Sequence, residues 1–380
     1  MNRRDFLTGG VVGLVVGGAA GWLGRGAGGK KMAKKVAKKP AAPAVIKGVK
    51  QLRLVTSWPK NFPGLGTAPN RFAARVNQAS EGRYTIKVFA GGELVHPLKC
   101  NDAVQQGTAD LYHSADYYYQ GKSQAYAWFT AVPGGFSPAE INAWVYHLGG
   151  QKLWDEVGAQ FGIKHLPCGN SGHQMAGWFK KPITSLEDFK GLKMRIPGLG
   201  GAVIKSLGGT SVTLAGSEIL PALQSGTIDA TEWVGPWNDL AFGFYKVVKN
   251  AHYPGIHEPG SLLSLGISKK LWDSLSAADQ AMFTACAMAE DSYDLAEFNA
   301  NNTQALKTLV EKHGVKYRPL PEEVFKKMAE AAKDVVATAG AKDALTKKVY
   351  NSYIDARKTL TDWTRVSDQA YFNMRDLVKY

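Results

Sequence analysis

Three short stretches of this chain occur twice, in the same order. "PGLG" stands at 63–66 and again at 197–200, "AGGELV" at 90–95 is answered by "AGSEIL" at 215–220, and "AVQQGTAD" at 103–110 by "ALQSGTID" at 222–229. Chance gives one such match, not three in register. The chain is therefore read as two related α/β units, each ending in a helix, a Gly-Thr stop and a strand.

Local patterns agree with that reading. In the first unit, β-branched and aromatic runs at 52–58 (LRLVTSW) and 84–90 (YTIKVFA) flank a helix-like segment, Ala68 to Ser80, and ADLYHS (109–114) follows the Gly107 stop. In the second, LKMRIP (192–197) and TIDATEW (227–233) read as strands, with a short helix from Gly201 to Leu207. Strands alternating with helices predict sheets with crossover connections, whose ligands lie beyond the carboxyl ends of strands.

After residue 260 the pattern turns helical, opening with Ser276 and Asp279 at the spacing of an N-terminal cap. Farther on, Val349, Tyr353, Ala356, Leu360, Trp363, Ser367, Ala370, Met374 and Leu377 recur at alternating four- and three-residue steps. That predicts a helix about 45 Å long with one apolar seam. Either the back of the same molecule or another copy must cover the seam.

Several function classes fall away. The formal charge is +14, but residues 1–44 hold nine basic side chains against Asp5, leaving +6 for the rest and no basic stripe of the kind nucleic acid requires. Cys100, Cys168 and Cys286 are too far apart for a zinc set and too few for a disulfide framework. Both "PGLG" turns lack the third glycine of a dinucleotide fingerprint, with Pro69 and Val203 standing there, and no phosphate loop or nucleophile elbow is present. Residues 1–29, with Arg3 and Arg4 ahead of a Gly-rich apolar run, read as a Tat export signal, with a retained anchor as the alternative. Residues 30–49 are a lysine-rich spacer.

The candidate chemistry lies in the second unit. Arg195 sits inside an apolar strand, where an unpaired guanidinium costs several kcal/mol, so an acid must meet it: Glu232, Glu218 or Asp229 as a structural partner, or the carboxylate of a ligand. Gln174 offers an amide oxygen and Glu232 a carboxylate, the hard-oxygen donors that sodium or calcium prefers. Trp58, Phe62, Tyr118 and Trp233 supply rigid aromatic walls. Asn170 and His173 read as turn and surface groups, and His113 and His165 as ordinary, partly buried ones.

The stretches ELVHPLKCNDAVQQGTADL, GWFKKPITSLEDFKGLKMRIPG and LAGSEILPALQSGTIDATEWVGP resemble the extracytoplasmic solute receptors of TRAP transporters, the DctP family. TEWVGPW with GFYKV, and SWPKNFPG with YYYQGK, are similar to the subgroup that binds 2-oxo or 2-hydroxy monocarboxylates with a cation. The resemblance implies a two-lobe periplasmic solute-binding fold, α/β with mixed sheets and long C-terminal helices. Lobe I would take 50–172 with 261–300 returning to it, lobe II 173–260, and 301–380 the C-terminal helices, a possible dimerisation element. It implies that Arg195 clamps the ligand carboxylate, that Gln174, Glu232 and the backbone carbonyl of Trp233 hold sodium or calcium, and that Trp58, Phe62 and Tyr118 line the pocket. The implied partners are a pyruvate- or lactate-like acid, the small and large membrane subunits of the transporter, and a second copy of the chain. Two other classes compete: a metal-dependent oxo-acid enzyme, and a periplasmic sensor or structural protein.

Overall fold

The computed structural model describes residues 48–379, so the expected export signal and residues 30–47 of the spacer lie outside the described residues. Among the described residues eleven strands form two mixed sheets. The first holds β1 (Lys50–Thr56), β2 (Tyr84–Phe89), β3 (Leu111–Ser114) and β4 (Ile163–Asn170). The chain then builds β5 (Gly177–Phe179), β6 (Lys193–Arg195), β7 (Thr210–Val212), β8 (Ala230–Thr231) and β9 (Asn250–Tyr253) of the second, returns with β10 (Leu262–Ser268) and adds β11 (Lys316–Pro319). Strand orders are β2-β1-β3-β10-β4 and β11-β9-β5-β8-β6-β7.

The sequence echo is an echo of hydrogen bonds. β1 lies parallel between β2 and β3, as β6 lies parallel between β7 and β8. Gly107 (φ +75°) and Gly226 (φ +80°) stop the preceding helices in the left-handed region that favours glycine. The same bond then closes each turn, from Ala109 N to Ala103 O at 3.1 Å and from Ile228 N to Ala222 O at 3.3 Å. Asp110 accepts the amide of Arg53 on β1 at 2.7 Å, and Asp229 that of Lys193 on β6 at 3.2 Å. Glu93 and Glu218 likewise accept the amides of Ala90 and Ala215, at 2.9 and 2.8 Å.

Two crossover segments join the sheets, 171–176 outward and 254–261 on the return. They pair with each other through Ser171 N to Ser261 O at 3.0 Å, Gln174 N to Glu258 O at 3.1 Å and Gly255 N to Gln174 O at 3.0 Å. A third connection is the 31-residue helix Ala277–Lys307, which packs Phe283 and Ala287 under the first sheet and, with Phe298, reaches Trp237 on the helix Pro236–Phe242 that follows β8. Ser276 caps it, accepting from Asp279 N at 3.1 Å.

Three local expectations change. The strand expected over 227–233 pairs only at Ala230–Thr231, because the chain then turns into the helix Pro236–Phe242. The single C-terminal helix is two, Ala344–Val366 and Asp368–Arg375, broken at Ser367, the one polar member of the apolar stripe. Its seam is covered only in part: Val349, Tyr353 and Ala356 bury against the first-lobe aromatic cluster, whereas Trp363, Met374 and Leu377 are exposed. His113, His165 and Asn170 are fully buried, not partly buried or at the surface. Tyr117–Tyr119 lie on a short 3₁₀ turn, which buries Tyr117 and Tyr119 and leaves Tyr118 half-buried. The turn starts at Asp116, buried and pushed up to about 6 by that burial, whose carboxylate accepts from Tyr112, Trp154 and Ser264. That network fixes where the tyrosines emerge.

Candidate binding site

By the repeat, Arg195 on β6 and Glu232 after β8 occupy the positions that Val55 and His113 hold in the first lobe. Adjacent register pairs are Val55 with Tyr112 and Arg195 with Thr231. A strand position that takes a valine in one lobe thus takes a guanidinium in the other, 1% exposed. Such a substitution demands partners. Arg195 donates to Glu232 Oε1 through Nη1, to the carbonyl of Leu214 at 3.2 and 3.1 Å through Nε and Nη2, and to the Tyr118 hydroxyl at 3.3 Å. The Trp233 ring lies over the guanidinium, 5.1 Å from its carbon.

The residues alone left Arg195 to an acid such as Glu232 or to a ligand carboxylate, and the family resemblance implied the ligand for Arg195 and a cation for Glu232. In the structure Arg195 pairs directly with Glu232. Both are 1% exposed, and two opposite charges in a closed crevice satisfy each other at lower cost than either alone. Of the other acids weighed for Arg195, Glu218 caps the helix Gly216–Ser225 and Asp229 ties into β6, so neither reaches it.

Two residues that the sequence reading did not single out complete the charge cluster. His257 Nε2 lies 3.3 Å from Glu232 Oε2, and Glu232, His257 and Glu258 each offer an atom within 4.8 Å of the others. Burial and then the charge of Glu232 push Glu258 up to about 7. Burial lowers His257, but its hydrogen bond to Glu232 and the neighbouring carboxylates outweigh that and leave it raised. Gln174 donates from Nε2 to Ser171 Oγ at 2.9 Å and Ser261 Oγ at 3.1 Å, and Ser261 donates to Glu258. Two buried acceptors, Gln174 Oε1 and Glu258 Oε1, have no hydrogen-bond partner among the described residues. Orphaned buried oxygens on an amide and an acid fit a hard cation.

A cavity of about 10 Å³ adjoins this cluster, room for roughly one water. Trp58, Tyr118, Gln174 and Trp233 line it; Phe62 packs behind Trp233 with ring centres 6.4 Å apart; Arg195 and Glu232 do not line it, and Arg195 meets its walls through the Tyr118 hydroxyl and the Trp233 ring. Trp58 is fixed by its indole N–H donating to His113 Nδ1 at 2.8 Å, and the opposite ring nitrogen of His113 meets Cys168 O at 2.8 Å. Burial drives His113 down to about 4, so it stays neutral in that role. Only the pairing of the two crossovers brings Gln174 and Glu258 together. A His-Glu dipeptide inside the Pro- and Gly-rich return "YPGIHEPGS" was the available signal. A larger groove of about 370 Å³ runs between the helices Glu322–Gly340 and Ala344–Val366, lined by apolar groups with Lys333 and Arg357 and none of the cluster.

The family model for bacterial extracellular solute-binding proteins, family 7 (DctP), matches residues 54–343. A monocarboxylate 2-oxoacid-binding periplasmic protein of Nostoc sp. is 40% identical over 321 residues, 84% of this chain and 88% of its own length. A TRAP periplasmic solute-binding protein of Pseudoalteromonas atlantica, solved with sodium and pyruvate, superposes with a TM-score of 0.82 at 37% identity, covering 85% of this chain and 98% of that one. A TRAP solute-binding protein of Bordetella bronchiseptica, a dimer with calcium and picolinate in one site, gives 0.84 at 33% identity, over 86% and 97% of the two chains.

Proposed function

This chain belongs to the bacterial extracellular solute-binding proteins of family 7, and on that footing we propose that it is the periplasmic receptor of a TRAP transporter. It takes a small 2-oxo or 2-hydroxy carboxylate, pyruvate- or lactate-like, together with sodium or calcium. The observation that carries this is the pair of orphaned oxygens, Gln174 Oε1 and Glu258 Oε1, beside the buried Arg195–Glu232 pair at an interlobe cavity.

Gln174 Oε1, a carboxylate oxygen of Glu232 and the backbone carbonyl of Trp233 hold the cation in this reading, with Glu258 as a further oxygen donor. The bound ion supplies positive charge that offsets Glu232 and meets ligand oxygens. Arg195 and the Tyr118 hydroxyl then clamp the ligand carboxylate, while Trp58, Phe62 and the Trp233 ring exclude water. Because these groups come from both lobes and from the crossovers between them, the loaded site holds the lobes closed. The closed receptor docks on the small and large membrane subunits, after export by the Tat pathway. The chain is a receptor and not an enzyme, so proton NMR of pyruvate with the protein and calcium shows the acid unchanged.

A thermal-shift screen of small carboxylates with and without sodium or calcium tests the reading. Binding at a hundredfold excess over Kd stabilises by about 2.7 kcal/mol, so pyruvate with a cation raises the melting temperature by several degrees. Succinate does not. No response to any 2-oxo or 2-hydroxy acid under any salt contradicts the receptor reading.

The exposed apolar residues Trp363, Val366, Phe372, Met374 and Leu377 belong in a homodimer contact. Light scattering at micromolar concentration then gives twice the monomer mass, and Phe372→Glu with Leu377→Glu gives the monomer. A monomeric wild-type protein contradicts the contact.

A further inference from the structure

We propose that Leu65 sets the length of the carbon chain that the site accepts; this rests on the receptor reading above. The cavity lining is of two kinds. Ser171, Gln174 and Ser261 are polar and joined to one another through Gln174 Nε2, whereas Leu65, Val234 and Leu263 are apolar. A 2-oxo acid whose carboxylate is clamped by Arg195 and Tyr118, and whose oxygens meet the cation at Gln174, directs its alkyl tail at these apolar residues.

Leu65 cannot retreat from that tail. It is 2% exposed and rides on the first "PGLG" turn, which is locked by Leu65 N to Pro63 O at 2.8 Å and Gly66 N to Phe62 O at 2.9 Å. A β-carbon on Gly66 would stand 2.4 Å from Pro59 O, and one on Gly64, at φ +66°, would stand 2.6 Å from the Phe298 ring. From the second lobe, Asn238 donates to Pro63 O at 3.0 Å and holds the turn across the crevice. The turn is thus held from both lobes, and Leu65 is the side chain it presents to the cavity.

The repeated turn supplies a control. Leu199 of the second "PGLG" also crosses between lobes, since it buries in the first-lobe aromatic cluster, just as Leu65 buries among second-lobe residues such as Trp178 and Ile219. Leu199, however, lines the open cleft of about 650 Å³ at Gln120 and Lys205, not the site cavity. Truncating either leucine weakens lobe contact; only Leu65 also deepens the tail pocket.

Each methylene beyond what a rigid apolar pocket accommodates lowers affinity about 10- to 200-fold. Calorimetric titration of pyruvate, 2-oxobutyrate, 2-oxopentanoate and 2-oxohexanoate in saturating calcium therefore gives a steep ladder for wild type. Leu65→Ala flattens it, gaining at least about 30-fold for 2-oxohexanoate relative to pyruvate. Leu199→Ala keeps the wild-type ladder. Leu65→Val serves if the alanine variant does not fold, with a smaller gain in the same direction. A Leu65 variant whose ladder parallels wild type overturns the proposal while leaving the receptor reading intact. Wild type that binds none of the four acids overturns both.

Discussion

Arg195→Met is expected to lose pyruvate binding and much of the fold's stability together. The guanidinium is 1% exposed and pairs with Glu232, which is equally buried. Removing one partner of such a pair leaves a buried charge uncompensated, at a cost of about 3–5 kcal/mol. Loss of a desolvated charged contact to the ligand is worth about 2–5 kcal/mol, a weakening of roughly 30- to 5,000-fold. The double variant Arg195→Met with Glu232→Gln separates the two effects. It regains about 1–3 kcal/mol of stability, because no charge is left stranded, but it regains no binding. Urea unfolding and calorimetric titration of the three proteins measure both. Pyruvate affinity of Arg195→Met within threefold of wild type would exclude the guanidinium as the clamp.

Withdrawal of the cation is expected to be nearly as costly. Without it, Glu232, Glu258 and the incoming carboxylate face one another with only Arg195 and His257 to offset them. Two like charges 4 Å apart at an effective dielectric of 20 repel by about 4 kcal/mol. Chelator in sodium-free buffer should therefore weaken pyruvate binding by about a hundredfold or more. Gln174→Leu deletes the orphaned amide oxygen and gives weak binding that calcium no longer improves. Wild-type affinity that is unchanged by chelation would remove the cation from the account.

The repeat was legible because it is local. Each unit is specified by contacts within it, so Gly107 and Gly226, Asp110 and Asp229, and Glu93 and Glu218 make matching bonds that short sequence windows encode. Arg195 stood out by the cost of a guanidinium in an apolar strand, but which acid met it depended on strand order. His257, Glu258 and Ser261 left only the His-Glu dipeptide as a signal, since they lie on the return crossover and meet Gln174 through the pairing of two segments far apart in sequence. The C-terminal stripe kept its period through Ser367, but periodicity is blind to a backbone break, and the helix ends there.

If Gln174 and Glu232 hold a cation that, with Arg195, grips a short 2-oxo acid between the lobes, a crystal of the protein grown with calcium and pyruvate shows where both sit, anomalous scattering locating the metal. The expected anomalous peak is bonded to Gln174 Oε1 and a Glu232 carboxylate oxygen, with the pyruvate carboxylate on the Arg195 guanidinium. Pyruvate bound away from Arg195, or calcium found only outside the crevice, rules this arrangement out.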